Sequence, residues 1–178
     1  TFCSYVDTET RLTFLKEQTA TPFTACLVEE DIHKKMSAEK IDIGYLEWLE
    51  KEYGIPNLWP YLYVDRVMMN GQLLRDYPHD TPLLSYEEML KKLQVTAKAI
   101  IEFLETEKPD AVVTSVIGSV GSMFLYHIAK KKGIQTLHIE FARIGNRIAL
   151  TEDYNTFSWV QSRFTELQNG SPSSERAA

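Results

Sequence analysis

The sequence predicts an α/β domain with a mainly parallel sheet, and three features of residues 108–147 carry that expectation. First, Asp110–Val116 is a short, β-branched apolar run behind Lys108-Pro109, where the proline helps end a preceding helix. Second, Ile117-Gly-Ser-Val-Gly-Ser122 turns the chain, and Ser119 can cap a helix in which Val120, Phe124, Leu125, Ile128 and Ala129 recur at helical spacing. That helix should close at Lys130-Lys-Lys-Gly133, with cations and then glycine at its negative end. Third, Ile134–Phe141 is another strand-like run. Two strands joined through a helix form a βαβ crossover, and sites in such sheets lie beyond the carboxyl ends of the strands. The loops 117–122 and 140–147 hold those positions.

Taken in order, Thr1–Val6 reads as a short strand, Thr8–Gln18 as a helix, and Pro22–Val28 as a second strand or a buried turn. Glu29–Lys40 is charged and expected to be solvated. Ile43, Leu46, Leu49 and Tyr53 keep helical spacing across Ile41–Tyr53, with Gly54 as the stop. Ile55–Val64 is dense in aromatics but broken by Pro56 and Pro60, so a packed connection is expected. Residues 71–81 read as a loop. Ser85-Tyr-Glu-Glu88 is a capping box opening a long helix whose stripe, Met89, Leu90, Leu93, Ala97, Ile100, Ile101 and Leu104, should lie on the sheet. Ile148–Leu150 reads as a short strand and Phe157–Leu167 as a helix. Residues 1–168 therefore make one domain, and 169–178 a polar linker or tail.

The whole chain has 178 residues, 44% of them apolar, enough for a real core in a soluble globular protein. Nineteen Lys and Arg against 25 Asp and Glu leave a net charge of −6, which disfavours a nucleic-acid surface. Cys3 and Cys26 form no disulfide framework or ligand cluster, no paired Cys/His spacing suggests a metal, and no cofactor is expected. No apolar run is long enough for an integral membrane span. The chain starts at Thr1, so an earlier segment could have been removed.

Two stretches carry chemistry. Gly118, Ser119, Gly121 and Ser122 place amides at a helix N-terminus, where an anion is favoured; the alternative is a tight strand-to-helix turn and no more. Glu140-Phe-Ala-Arg-Ile-Gly-Asn-Arg147 sets a carboxylate, two guanidinium groups and an amide at a strand end. Glu140 could serve as a base, and Arg143, Asn146 and Arg147 could hold a phosphate or carboxylate. The alternative there is an internal Glu–Arg ion pair. His127 and His138 read as packing or hydrogen-bonded residues, Asp65-Arg66 as a structural ion pair or rim contact, and Trp48, Trp59, Tyr61 and Tyr63 as core aromatics rather than sugar platforms.

Glu52-Tyr-Gly-Ile-Pro-Asn-Leu-Trp59, Tyr63-Val-Asp-Arg66, Lys108-Pro-Asp-Ala-Val-Val113, Gly118-Ser-Val-Gly121, Lys132-Gly-Ile134 and Arg143 with Asn146-Arg147 together resemble the amino-terminal half of surface or capsular polysaccharide biosynthesis proteins. Those proteins are similar to glycosyltransferases of the GT-B architecture, and the likeness covers about residues 40–165. It implies a Rossmann-like three-layer domain, a sugar or nucleotide-sugar ligand, an acceptor-side role, and a cytoplasmic location at or near the inner membrane face. It also implies a missing C-terminal donor-binding domain, so that catalysis by this chain alone would be incomplete. A non-catalytic nucleotide- or sugar-phosphate-binding module and a sugar-nucleotide epimerase-like domain are the alternatives.

Overall fold

The computed structural model describes residues 2–65, 68, 82–142, 145–156 and 158–169. Their order is β1 (Phe2–Val6), α1 (Glu9–Glu17), β2 (Phe23–Val28), α2 (Glu29–Lys34), a 3₁₀ turn (Met36–Ala38), α3 (Ile43–Tyr53), α4 (Trp59–Val64), α5 (Tyr86–Glu107), β3 (Ala111–Thr114), α6 (Val120–Lys131), β4 (Gln135–Phe141), β5 (Ile148–Thr151) and α7 (Ser158–Asn169). The fold is mixed α/β with two small sheets. β1 and β2 pair in parallel, β3 and β4 pair in parallel as the crossover predicts, and β5 joins β4 antiparallel.

The helix ends form where the sequence places them. Ser85 accepts the Glu88 amide while Glu88 returns to the Ser85 amide, so both halves of the expected capping box are made at α5. α5 ends on Lys108, which takes a left-handed φ of 46° before Pro109. At the end of α6, Gly133 adopts a φ of +74°, a conformation that L side chains rarely adopt, and the Ile134 amide reaches back to the Ala129 carbonyl at 3.0 Å.

One core joins these elements. Leu93, Ala97, Ile100 and Leu104 of α5 pack with Val120, Phe124, Ile128 and Ala129 of α6, over Val112 of β3 and beside Leu46 and Leu49 of α3. A smaller cluster, Ile32, Val95 and Ala99, seats α2 on the opposite side of α5.

Two stretches depart from expectation. Glu29–Lys40 is not simply solvated, because Ile32 is buried and Gln94 of α5 grips the following connection. The Gln94 side chain accepts the Asp42 amide at 2.9 Å and donates to the Lys40 carbonyl at 2.8 Å. Ile55–Val64 is half regular: Pro60 falls in the first turn of α4, where its missing N–H leaves no bond unmade, and Tyr61 and Leu62 go into the core. The loop expected at 71–81 and the tail from 170 lie outside the described residues. No helix among the described residues is long and apolar enough to cross a membrane.

Candidate functional site

Because β3 and β4 run in parallel, their carboxyl ends share one edge, from which the 115–119 turn and the β4–β5 hairpin both leave. Thr114, the last residue of β3, stands opposite His138 in that register. His138 and Glu140 are two apart on β4 and therefore share a face. The three side chains form a line. Thr114 Oγ1 lies 2.9 Å from His138 Nδ1, and His138 Nε2 lies 3.4 Å from Glu140 Oε2. His138 is only 4% exposed, whereas the Glu140 side chain keeps 35% of its surface. With Nε2–H directed at the carboxylate, Nδ1 accepts a hydrogen bond from the Thr114 hydroxyl, an assignment that follows from the network. A second carboxylate oxygen, Oε1, accepts the Phe141 amide at 3.2 Å. The arrangement thus presents a fixed, solvent-reaching carboxylate backed by a buried imidazole, which is what proton removal from a hydroxyl requires.

The glycine-serine turn is folded on itself. Ser119 caps α6 by accepting the Ser122 amide, and Ser122 Oγ in turn accepts the amides of Gly118 and Ser119 at 3.1 and 3.0 Å. The Val120 amide goes to Asp65 Oδ2 at 3.3 Å. A carboxylate of the chain itself therefore already stands at this helix N-terminus, as the macrodipole favours. An incoming anion would have to displace Asp65 or Ser122.

Asp65 belongs to a buried ionic cluster that sequence reasoning missed. Lys92 Nζ lies 3.6 Å from both Asp65 Oδ2 and Glu29 Oε1, and all three residues are at most 8% exposed. Tyr5 donates its hydroxyl to Glu29 Oε2 at 2.6 Å, and Asp65 Oδ1 accepts the Met68 amide at 3.2 Å. His33 Nε2 comes within 3.3 Å of Glu29 Oε1 without a well-aligned hydrogen bond. Burial alone would raise the Glu29 carboxyl, but His33, the Tyr5 hydroxyl and the Lys92 charge outweigh it and hold it below its usual range. Tyr5 is pushed far above the ordinary tyrosine value by burial and by the facing Glu29 charge.

Gly121 is required by the same cluster. A Cβ there would fall 1.7 Å from Tyr5 Oη and 2.5 Å from its Cζ, so the ring could stay only if the helix moved. Gly121→Ala should destabilise the protein by about 1–3 kcal/mol, the usual range for overpacking a filled site. Thermal denaturation of Gly121→Ala in the wild-type and in the Tyr5→Val background checks this, since the substitution should cost much less once the ring is gone.

Among the groups held below their ordinary values, the two most buried, His127 and Glu29, shape the acid stability most. Burial, reinforced by the Lys130 charge, keeps His127 below its ordinary 6.5, and Glu29 stays below its ordinary 4.5. In both cases the unfolded chain takes up the proton first as pH falls. Stability should therefore be full above pH 6.5, decline below that through His127, and decline further below 4.5 through Glu29. Urea unfolding at stepped pH values should show both legs, and Glu29→Gln should shrink only the lower one, to which Glu39, Glu88 and Asp153 also contribute.

On the hairpin, Asn146 and Arg147 are exposed, and the Arg147 carbonyl accepts the Ala142 amide at 3.0 Å. Among the described residues Arg147 makes no ion pair, and the side chain that faces Glu140 is the His138 imidazole. Arg143 and Arg66 lie outside the described residues. The structure thus unites Glu140 with Thr114 and His138, unites Gly118, Ser119 and Ser122 with one another, and places Gly121 under Tyr5. Among the described residues no group of three or more His, Cys, Asp or Glu could hold a metal ion.

No protein-family model, curated protein or solved structure matches the chain.

Proposed function

We propose that the chain is the acceptor-side domain of a glycosyltransferase-like protein of surface polysaccharide biosynthesis, working in the cytoplasm at the inner membrane face. The observation that carries this proposal is the Thr114–His138–Glu140 line at the carboxyl edge of parallel strands. Glu140 is the base that takes the proton from an acceptor hydroxyl, and His138 and Thr114 are positioning residues that hold the carboxylate. Arg147, on the hairpin that leaves the same edge, supplies charge for a leaving phosphate, with Asn146 beside it. The donor sugar nucleotide is held by a second domain outside this sequence.

The finer fold in this proposal is a Rossmann-like three-layer domain in which the two sheets act as one. Its support is that Cys3 of β1 bonds Glu107 at the end of α5 and Tyr5 of β1 packs on Gly121 of α6, which sets β1 beside the β3–α6 unit.

The test is a transfer assay with nucleotide-sugars and an oligosaccharide acceptor, read by mass spectrometry on the protein together with its donor half. A glycosidic product that disappears in Glu140→Gln supports the proposal. Tight binding of glucose 1-phosphate without turnover by the complete protein would replace it with a non-catalytic module. An isomerised donor formed without acceptor would replace it with an epimerase.

A further inference from the structure

The β3-β4-β5 sheet buries a face of mixed character, with Val112 in register with Thr136, and leaves a largely apolar face outside. The face that bears His138 also carries the buried Thr136 and Thr151. The opposite face is mostly apolar and largely uncovered: Val113 is 58%, Phe141 76%, Ile148 62% and Leu150 55% exposed, while Leu137 and Ile139 between them are half-buried. Cross-strand register stacks these residues into rows, Phe141 opposite Ile148 and Leu150 opposite Ile139. Parallel strands in α/β proteins are ordinarily covered on both faces.

The same chain carries a surface of matching shape and chemistry. In α7, Val160, Phe164 and Leu167 fall on one helical face at spacings of four and three, and all three are exposed. No other helix or strand packs extensively along α7 among the described residues. Its Arg163 and Glu166 neutralise each other at 2.8 Å, so the helix presents no uncompensated charge to an apolar partner.

We propose that the bare sheet face receives α7 of a second copy of this chain, and that the exchange is reciprocal about a two-fold axis. Rows on the sheet repeat every ~7 Å along a strand, and the α7 stripe extends for ~10 Å, so one helix spans two rows. Each buried aromatic removes roughly 150–250 Å² from water, and two symmetric helix-on-sheet contacts reach the ~1,600 Å² of a standard stable interface. A two-fold arrangement closes on itself and leaves neither apolar surface exposed.

Sedimentation velocity of the 178-residue chain over a wide concentration range tests the proposal. The wild type should sediment as a dimer, and Phe164→Asp and Phe141→Asp should each sediment as monomers with unchanged melting of the core. Mixing the two variants should restore association, because one keeps a good helix and the other a good sheet face. A wild type that stays monomeric would overturn the proposal, as would variants that remain dimeric. A mixture that does not associate would also overturn it, because pairing of like surfaces would then be responsible. If Phe164→Asp instead lowers the melting temperature of a monomeric wild type, α7 docks on its own sheet and the proposal fails.

Discussion

Replacing Lys92 with methionine should destabilise the protein by about 3–5 kcal/mol, the usual effect of stranding buried charges by removing their partner. The methionine keeps most of the stem volume, so the loss is electrostatic rather than a cavity. Glu29 and Asp65 would be left facing each other across the space Nζ now fills, 3.6 Å from each. For a domain of this size the melting temperature should fall by roughly 6–20 °C. The loss should also depend on pH in a definite direction. Without the lysine, one of the influences that offset burial at Glu29 is gone and its carboxyl moves upward, though His33 and the Tyr5 hydroxyl still oppose burial, so the protein can relieve part of the strain by taking up a proton as pH falls. Calorimetric melts at pH 7.5 and pH 5 should therefore show a smaller deficit for Lys92→Met at the lower pH. A variant as stable as the wild type at neutral pH would mean that the cluster is solvated and adds nothing.

The second large effect belongs to Glu140. In the transfer assay Glu140→Gln should reduce turnover by about 100- to 10,000-fold, the range that general base catalysis supplies. The fold should be unaffected, because the carboxylate is partly exposed and an amide oxygen can still accept from Phe141. His138→Gln and Thr114→Val should lose less, since they act by holding the carboxylate. They should also move the acidic limb of the pH–rate profile, which a purely structural role would leave in place. Turnover unchanged in Glu140→Gln would remove it from the chemistry.

Much of this was legible in the chain. Glycine and serine at 117–122, the capping box at Ser85 and the apolar periodicity of α5 and α6 are local signals, and local signals specify helices and turns well. Glu140 was legible as a candidate because it ends a strand beside two arginines. His138 reads as a packing or hydrogen-bonded residue because its neighbours Leu137 and Ile139 are apolar, and it is indeed buried and hydrogen-bonded. Only the parallel register shows that those neighbours face outward and that His138 faces inward, against Thr114. The one signal available was the spacing of two between His138 and Glu140, which puts both on one face of any strand. The Lys92 cluster was less accessible still. Its members, Tyr5, Glu29, Asp65 and Lys92, are separated by up to 87 positions and belong to four different segments, so no spacing rule brings them together. Lys92 lies outside the apolar stripe of its helix, and tertiary packing alone makes it internal.

The most direct test of a sugar-phosphate site at the β3–β4 edge is calorimetric titration of glucose 1-phosphate into wild type and Arg147→Ala, beside a melting curve for each. A charge-assisted contact of this kind is worth ~1.5–3 kcal/mol, so Arg147→Ala should bind roughly 10- to 150-fold more weakly while melting at the wild-type temperature. Affinity unchanged in a variant that melts lower would show that Arg147 fastens the hairpin, and would contradict a ligand site there.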